Sequence, residues 1–90
     1  MSYKILKNTR KFDKYNNIIE DINETIDSFD DHQDALIHFR IIVRKSIGLM
    51  MYKNKPNNSI SEYFDYEDHV AIRCNNDRIE LILMPSNLVM

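Results

Sequence analysis

The clearest hydrophobic pattern in the chain lies between residues 12 and 29. Apolar side chains recur there at intervals of three and four residues, at Phe12, Tyr15, Ile19, Ile22, Ile26 and Phe29. This spacing is typical of one face of an amphipathic helix, and no glycine or proline interrupts it. The pattern therefore predicts a first helix over residues 13–29.

A second helix is predicted for residues 32–53. Asp31 precedes this segment and Asp34 follows three residues later, which resembles a capping box at a helix start. Apolar residues form a main stripe and also occupy positions outside it, including Ile37 and Ile41. A helix that is apolar around so much of its circumference is expected to be buried on more than one side, by its own chain or by a second subunit.

After the polar loop at residues 54–59, the period of the apolar residues changes to that of β-strands. Three strands are predicted, at residues 60–66, 69–74 and 78–84. The last of these is apolar on both faces, so we expect it to be central or covered. A short strand is also expected at residues 3–6. The order (β)ααβββ predicts one α+β domain over residues 1–90, with two helices packed on an antiparallel sheet of three to four strands.

Composition excludes several kinds of function. The 90 residues include one glycine and one cysteine, which excludes glycine-rich phosphate loops, internal disulfides and cysteine-based zinc sites. The three histidines do not have metal-ligand spacing. We therefore predict no catalytic, metal or cofactor site. No apolar run reaches the roughly 18 residues of a membrane span, so we expect a cytosolic protein in which Cys74 is reduced.

The charges lie in blocks along the chain. Residues 1–14 carry a net charge of +4, residues 15–34 carry −7, residues 35–55 carry +5 and residues 56–90 carry −4, although the total is only −2. Acidic residues step by four and three residues at Glu20, Glu24, Asp27 and Asp31, with Asp34 beyond them. They form one ridge if the predicted first helix extends as far as Asp31. One interpretation is a solvated face, partly paired with Arg40, Arg44 and Lys45 of the second helix. The other is a surface that contacts a basic, nucleic-acid-binding surface on another protein.

The second interpretation favours a small non-enzymatic binding protein. The chain is rich in amino acids with AT-rich codons, such as isoleucine and asparagine, which is typical of a phage, a large DNA virus or a low-GC bacterium. We therefore expect a phage or viral inhibitor or regulator of a host protein, with the acidic ridge as its contact surface. A homodimer is also expected, through apolar residues that the fold does not bury, at Ile37, Ile41, Leu88 and Val89. An assembly subunit, in which the second helix joins many copies, is an alternative.

A further alternative comes from a resemblance. The predicted element order and the closing hairpin at residues 70–84, V-A-I-R-C-N-N-D-R-I-E-L-I-L-M, resemble the small ribosome-dependent RNases of the RelE/ParE toxin superfamily. The resemblance implies an RNase or RNA-binding protein. Its phosphate contacts would come from four arginines, Arg40, Arg44, Arg73 and Arg78.

Overall fold

A computed structural model describes residues 2–57 and 59–86 of the chain. Its elements, in chain order, are β1 (Tyr3–Phe12), β2 (Ile18–Phe29), α1 (His32–Lys53), β3 (Ile60–Asp65), β4 (His69–Cys74) and β5 (Asp77–Pro85). The five strands form one antiparallel sheet in the order β2-β1-β5-β4-β3. Helix α1 packs across one face of this sheet.

The predicted first helix is wrong. Residues 13–17 form a tight turn and the following segment is strand β2, which pairs with β1 as a long hairpin. Asp13 closes the turn, because its Oδ1 accepts hydrogen bonds from the backbone N–H groups of Tyr15 and Asn17, both at 2.9 Å. Asn16 has a φ of 68°, in the left-handed region that asparagine tolerates better than most residues. The aspartate at the first position of the predicted helix therefore organises a hairpin turn.

The three-and-four spacing of apolar residues does not correspond to a buried face. Ile19 is 63% exposed, Ile22 is 42% exposed and Tyr15, in the turn, is 73% exposed. Pairing of β2 with β1 along most of its length outweighs the helical preference that the local spacing suggests. Isoleucine, which is β-branched, is also a residue that favours strands. Only Ile26 and Phe29, at the far end of β2, pack against the core.

The predicted fold class is therefore also wrong. The described residues form one helix and five strands in the order ββαβββ, not two helices on three to four strands in the order (β)ααβββ. The short strand expected at residues 3–6 continues to Phe12. The wrong helix at residues 13–29 and the underestimated length of the first strand have the same cause, since β1 and β2 pair with each other.

The remaining elements confirm their predictions. Helix α1 spans residues 32–53 as expected, and the side chain of Asp31 caps it by accepting a hydrogen bond from the backbone N–H of Asp34 at 3.2 Å. Strand β4 has the predicted bounds, β3 ends one residue earlier than predicted, and β5 is one residue longer at each end. Strand β5 is the central strand of the sheet, as its apolar composition predicted.

The core lies between α1 and one face of the sheet. Phe39, near the middle of the helix, is fully buried. Ile5 on β1 and Leu81 on β5 are also buried, with at most 1% of their surface exposed. The opposite side of α1 is not covered: Ile37 is 58% exposed and Ile41 is 44% exposed. Within the described part of the chain, the helix is thus buried on one side rather than on several.

The second face of the sheet carries the polar side chains of its central strands. Side chains alternate between faces along a strand, so Ile79, Leu81 and Leu83 of β5 lie under the helix, whereas Arg78 and Glu80 lie on the other face. This second face continues onto the hairpin, where the side chains of β1 and β2 contact one another.

Candidate interaction surface on an edge strand

The acidic residues of β2 lie opposite the basic residues of β1. The hairpin register pairs Lys11 with Glu20, Arg10 with Asp21, and Lys7 with Glu24. Opposite charges at facing positions of an antiparallel pair stabilise it, and Nε of Arg10 lies 3.4 Å from Oδ1 of Asp21. The first basic block and the following acidic block of the sequence thus come together in one hairpin.

This arrangement corrects the expected pairing of the acidic segment with the basic part of the helix. Arg40, on α1, instead binds Asp65 at the end of β3, with two hydrogen bonds of 2.7 and 3.0 Å. The long-range field of the β2 carboxylates is therefore reduced by β1, and what remains is a row of exposed acidic groups available for direct contact.

The five predicted partner-binding acids do not form one ridge. Glu20 and Glu24 lie on β2, four residues apart, and both are exposed. Asp27 lies beyond a register shift and faces Ile5, and its side chain is outside the description. Asp31 and Asp34 belong to the start of α1. Glu20 and Glu24 share a face, because residues of one parity do so along a regular strand.

The four predicted interface residues also separate into two groups. Ile37 and Ile41 lie one turn apart on the exposed side of α1. Leu88 and Val89 lie outside the described residues.

Strand β2 is an edge of the described sheet. The hydrogen bonds of β1 show which backbone N–H and C=O groups of β2 are not paired with a neighbouring strand of that sheet. The backbone N–H of Phe12 donates to Asn76 O at 2.8 Å, on the β5 side of β1. Backbone groups point alternately to the two sides of a strand, so Lys11, Thr9 and Lys7 direct theirs toward β2. Their partners on β2 are then the residues whose backbone groups pair within the hairpin. These partners are Glu20, Ile22 and Glu24.

The backbone groups of the intervening residues point to the open side of the edge. They belong to Asp21, Asn23 and Thr25, which lie opposite Arg10, Asn8 and Leu6. Unpaired strand edges of this kind readily pair with another chain, and most proteins shorten or cover them. Here the edge strand has 12 residues, and two of its isoleucines, Ile18 and Ile22, are 50% and 42% exposed.

A polar contact holds the middle of β2 against β1. Nδ2 of Asn8 donates to Oδ1 of Asp21 at 2.6 Å and to Oδ1 of Asn23 at 2.9 Å. Oδ1 of Asn8 itself is buried and has no hydrogen-bond partner among the described residues. Beside this contact, a shallow groove of about 400 Å³ is lined by side chains of β1, β2 and β5, including Leu6, Thr25 and Ile82. The edge is therefore fixed in register, with an open groove next to it.

A second charged cluster spans β3, β4 and β5. Nε of Arg78 donates to Glu62 at 2.7 Å and its Nη1 donates to Glu80 at 3.2 Å, while Nε2 of His69 lies 2.5 Å from Oε2 of Glu80. The hydrogen bond from Arg78 lowers the pKa of Glu62. Burial raises the pKa of Glu80, but hydrogen bonds from His69 and Arg78 outweigh it and lower that pKa overall. Arg40 lowers the pKa of Asp65 in the same way.

These contacts bear on the four arginines of the toxin-like alternative. Arg40 and Arg78 are held by carboxylates of the same chain, and the guanidinium of Arg73 lies 3.9 Å from the ring centroid of Phe12. The resemblance rested in part on an element order that the fold does not have, whereas its closing hairpin is present as β4 and β5. Three of the four arginines thus contact groups of the same chain, and Arg44 is exposed on α1.

The edge strand is the feature that the sequence analysis missed, although a signal for it exists. Around the turn at residues 13–17, basic residues at 7, 10 and 11 mirror acidic residues at 24, 21 and 20. Opposite charges that mirror each other across an Asn-rich turn indicate a hairpin. The helical interpretation took the acidic half of this pattern by itself.

Comparisons with known proteins do not assign a function to this surface. No protein family, no curated protein and no solved structure matches the chain. Among the described residues, no group of three or more histidine, cysteine, aspartate or glutamate side chains could hold a metal ion. Helix α1, the helix of the described part, lacks the apolar length that a membrane crossing requires.

Proposed function

We propose that the protein is a small non-enzymatic binding protein that inhibits or regulates a partner protein through the edge formed by β2. The observation that carries this proposal is the free edge itself. It presents outward backbone groups at Asp21 and Asn23, next to exposed apolar groups at Ile18 and Ile22. A phage or viral origin, with a host protein as the partner, remains part of the proposal.

The partner contributes a basic surface. Glu20 and Glu24 are exposed on one side of β2 and Asp21 on the other. Such side chains repel a like-charged edge and attract a basic one, so they give the surface specificity as well as affinity. Because β1 already neutralises part of the charge, short-range pairing contributes more than long-range steering.

The proposal is tested by affinity capture from the cells in which the protein acts. The bait is the wild type, the double variant Glu20→Lys/Glu24→Lys, or a control with the same charge change at exposed sites between β3 and β4, Glu67→Lys/Asp68→Lys. Circular dichroism first establishes that all three fold alike. We expect the wild type and the control to retain the same protein and the β2 variant to lose it. Equal recovery by all three baits would contradict the proposal.

A second candidate is self-association through α1. Ile37 and Ile41 leave an apolar patch on the outer side of the helix, with 58% and 44% of their surfaces exposed, and patches of this kind often mark interfaces. Light scattering of the wild type and of Ile37→Lys/Ile41→Lys would test it. A dimer or larger assembly that dissociates in the variant is expected, and a monomeric wild type would refute it.

A further inference from the structure

We infer that the partner binds as an extended basic segment that adds a sixth strand to the sheet along β2. This inference rests on the proposed function and specifies its partner. The segment is expected to carry lysine or arginine four residues apart, so that the two basic groups lie opposite Glu20 and Glu24.

The backbone of β2 supplies the first part of the argument. Outward N–H and C=O groups recur at Asp21, Asn23 and Thr25, every second residue along a strand whose other side is held in register by β1. Such a row is spaced about 6.8 Å apart, since a strand rises about 3.4 Å per residue. An added antiparallel strand presents its own groups at the same interval. A folded surface without an extended segment cannot satisfy the row.

The side chains supply the second part, because the hairpin register places a lysine of β1 opposite each of the two glutamates. On the inner side of β2, Lys11 faces Glu20 and Lys7 faces Glu24. A carboxylate accepts several hydrogen bonds at once, so each glutamate can contact one basic residue on either side. A segment with the spacing of Lys7 and Lys11 would repeat on the outer edge the pairing that the hairpin has on its inner edge.

Charge also opposes a second copy of β2 in the register that is symmetric about Ile22. If two β2 strands paired antiparallel about Ile22, Glu20 of one copy would face Glu24 of the other at two symmetric positions. Like charges directly opposite each other destabilise a strand pair. In that register, charge complementarity favours a basic segment over a second copy of β2.

The test uses a fluorescent peptide with the sequence of residues 3–12, Y-K-I-L-K-N-T-R-K-F, as the basic strand. Fluorescence anisotropy measures its binding to the full chain and to two matched variants. Thr25→Pro removes an outward N–H, whereas Thr25→Val keeps it. The side chain of Thr25 is exposed in the wild type, so both replacements are made at an exposed position. A third variant, Glu20→Gln/Glu24→Gln, removes the two charges.

We expect Thr25→Val to bind as the wild type does and Thr25→Pro to bind about fivefold more weakly, as the loss of one hydrogen bond of about 1 kcal/mol implies. The charge variant is expected to bind the peptide at least tenfold more weakly than the wild type does. The affinity of the wild type for the peptide is expected to fall as the salt concentration is raised. A second measurement needs no variant. In the wild type, the peptide should slow hydrogen exchange at the amides of Asp21 and Asn23 at least tenfold.

The outcomes separate this inference from the proposed function. If the charge variant loses the peptide but Thr25→Pro does not, and the two amides are not protected, strand addition is overturned while the acidic contact surface stands. If the peptide does not bind at millimolar concentration, strand addition is also overturned, and the capture experiment decides the proposed function separately. If capture fails as well, both are overturned.

Discussion

Replacing Arg78 by methionine should destabilise the protein more than replacing any exposed arginine of the hairpin. Its side chain is 14% exposed and joins two carboxylates, Glu62 at 2.7 Å and Glu80 at 3.2 Å. Methionine retains much of the side-chain volume but leaves both acids without this partner. Breaking a buried ion pair costs about 3–5 kcal/mol and an exposed one about 0–1 kcal/mol. Since Glu62 is 40% exposed and Glu80 is 26% exposed, we expect an intermediate loss of about 2 kcal/mol.

Urea unfolding at pH 7 measures this loss, and Arg10→Met is the matched control. Arg10 faces Asp21 at 3.4 Å, and both side chains are more than one third exposed, so its replacement should cost less than about 0.5 kcal/mol. The double variant Arg78→Met/Glu62→Gln should be more stable than Arg78→Met alone, because it removes one of the unpaired charges. Equal stability of Arg78→Met and Arg10→Met would refute the reasoning that partial burial makes the ion pairs of Arg78 contribute more than an exposed pair.

Three further predictions concern the core, the helix and the second ion pair. Phe39 is fully buried, so Phe39→Ala should lower the unfolding free energy by about 3–5 kcal/mol, and a loss below about 1 kcal/mol in urea unfolding would contradict the core described above. Gly48 lies within α1 and a Cβ there would meet no atom within 4 Å, so Gly48→Ala should raise the unfolding free energy by about 1 kcal/mol, and a lower urea midpoint would contradict this. The pKa of Asp65 is lowered by its hydrogen bonds with Arg40, so the pair contributes stability above about pH 4, near the pKa of an unfolded aspartate, and loses it as the pH falls through the lower folded pKa. Asp65→Asn should therefore destabilise the protein at pH 7 and have a progressively smaller effect as the pH falls below about 4, and a loss that does not depend on pH in thermal unfolding would contradict the role of the charge.

The elements that could be predicted from the sequence are those with local signals. Helix α1 has a capping aspartate, Asp31, and a long apolar run without a break, and both act within a few residues. Strand β5 is apolar on both faces, which indicated its central place in the sheet. These features need no knowledge of distant contacts.

The hairpin of β1 and β2 could not be predicted from local spacing. The intervals between Phe12, Ile19, Ile22 and Ile26 suit a helix, but the chain gains more by pairing residues 3–12 with residues 18–29. Such pairing depends on residues up to 26 positions apart, such as Tyr3 and Phe29, and hydrophobic periodicity does not report it.

The same limit applied to the candidate surface. Glu20 and Glu24 were identified as contact residues from their charge, and that role stays a prediction. Their setting on a free strand edge follows from the fold, because it depends on which strand lies beside β2 and which side is left open. Side-chain identity alone does not carry that information.

Amide hydrogen exchange in the unbound protein measures whether β2 is a strand with one side unpaired, as it is among the described residues. We predict an alternating pattern, in which the amides of Ile22 and Glu24 exchange slowly while those of Asp21 and Asn23 exchange quickly, because only the first pair bonds to β1. Uniform protection of all four amides would contradict it, since it would mean that this segment is helical or that its outer edge is already covered.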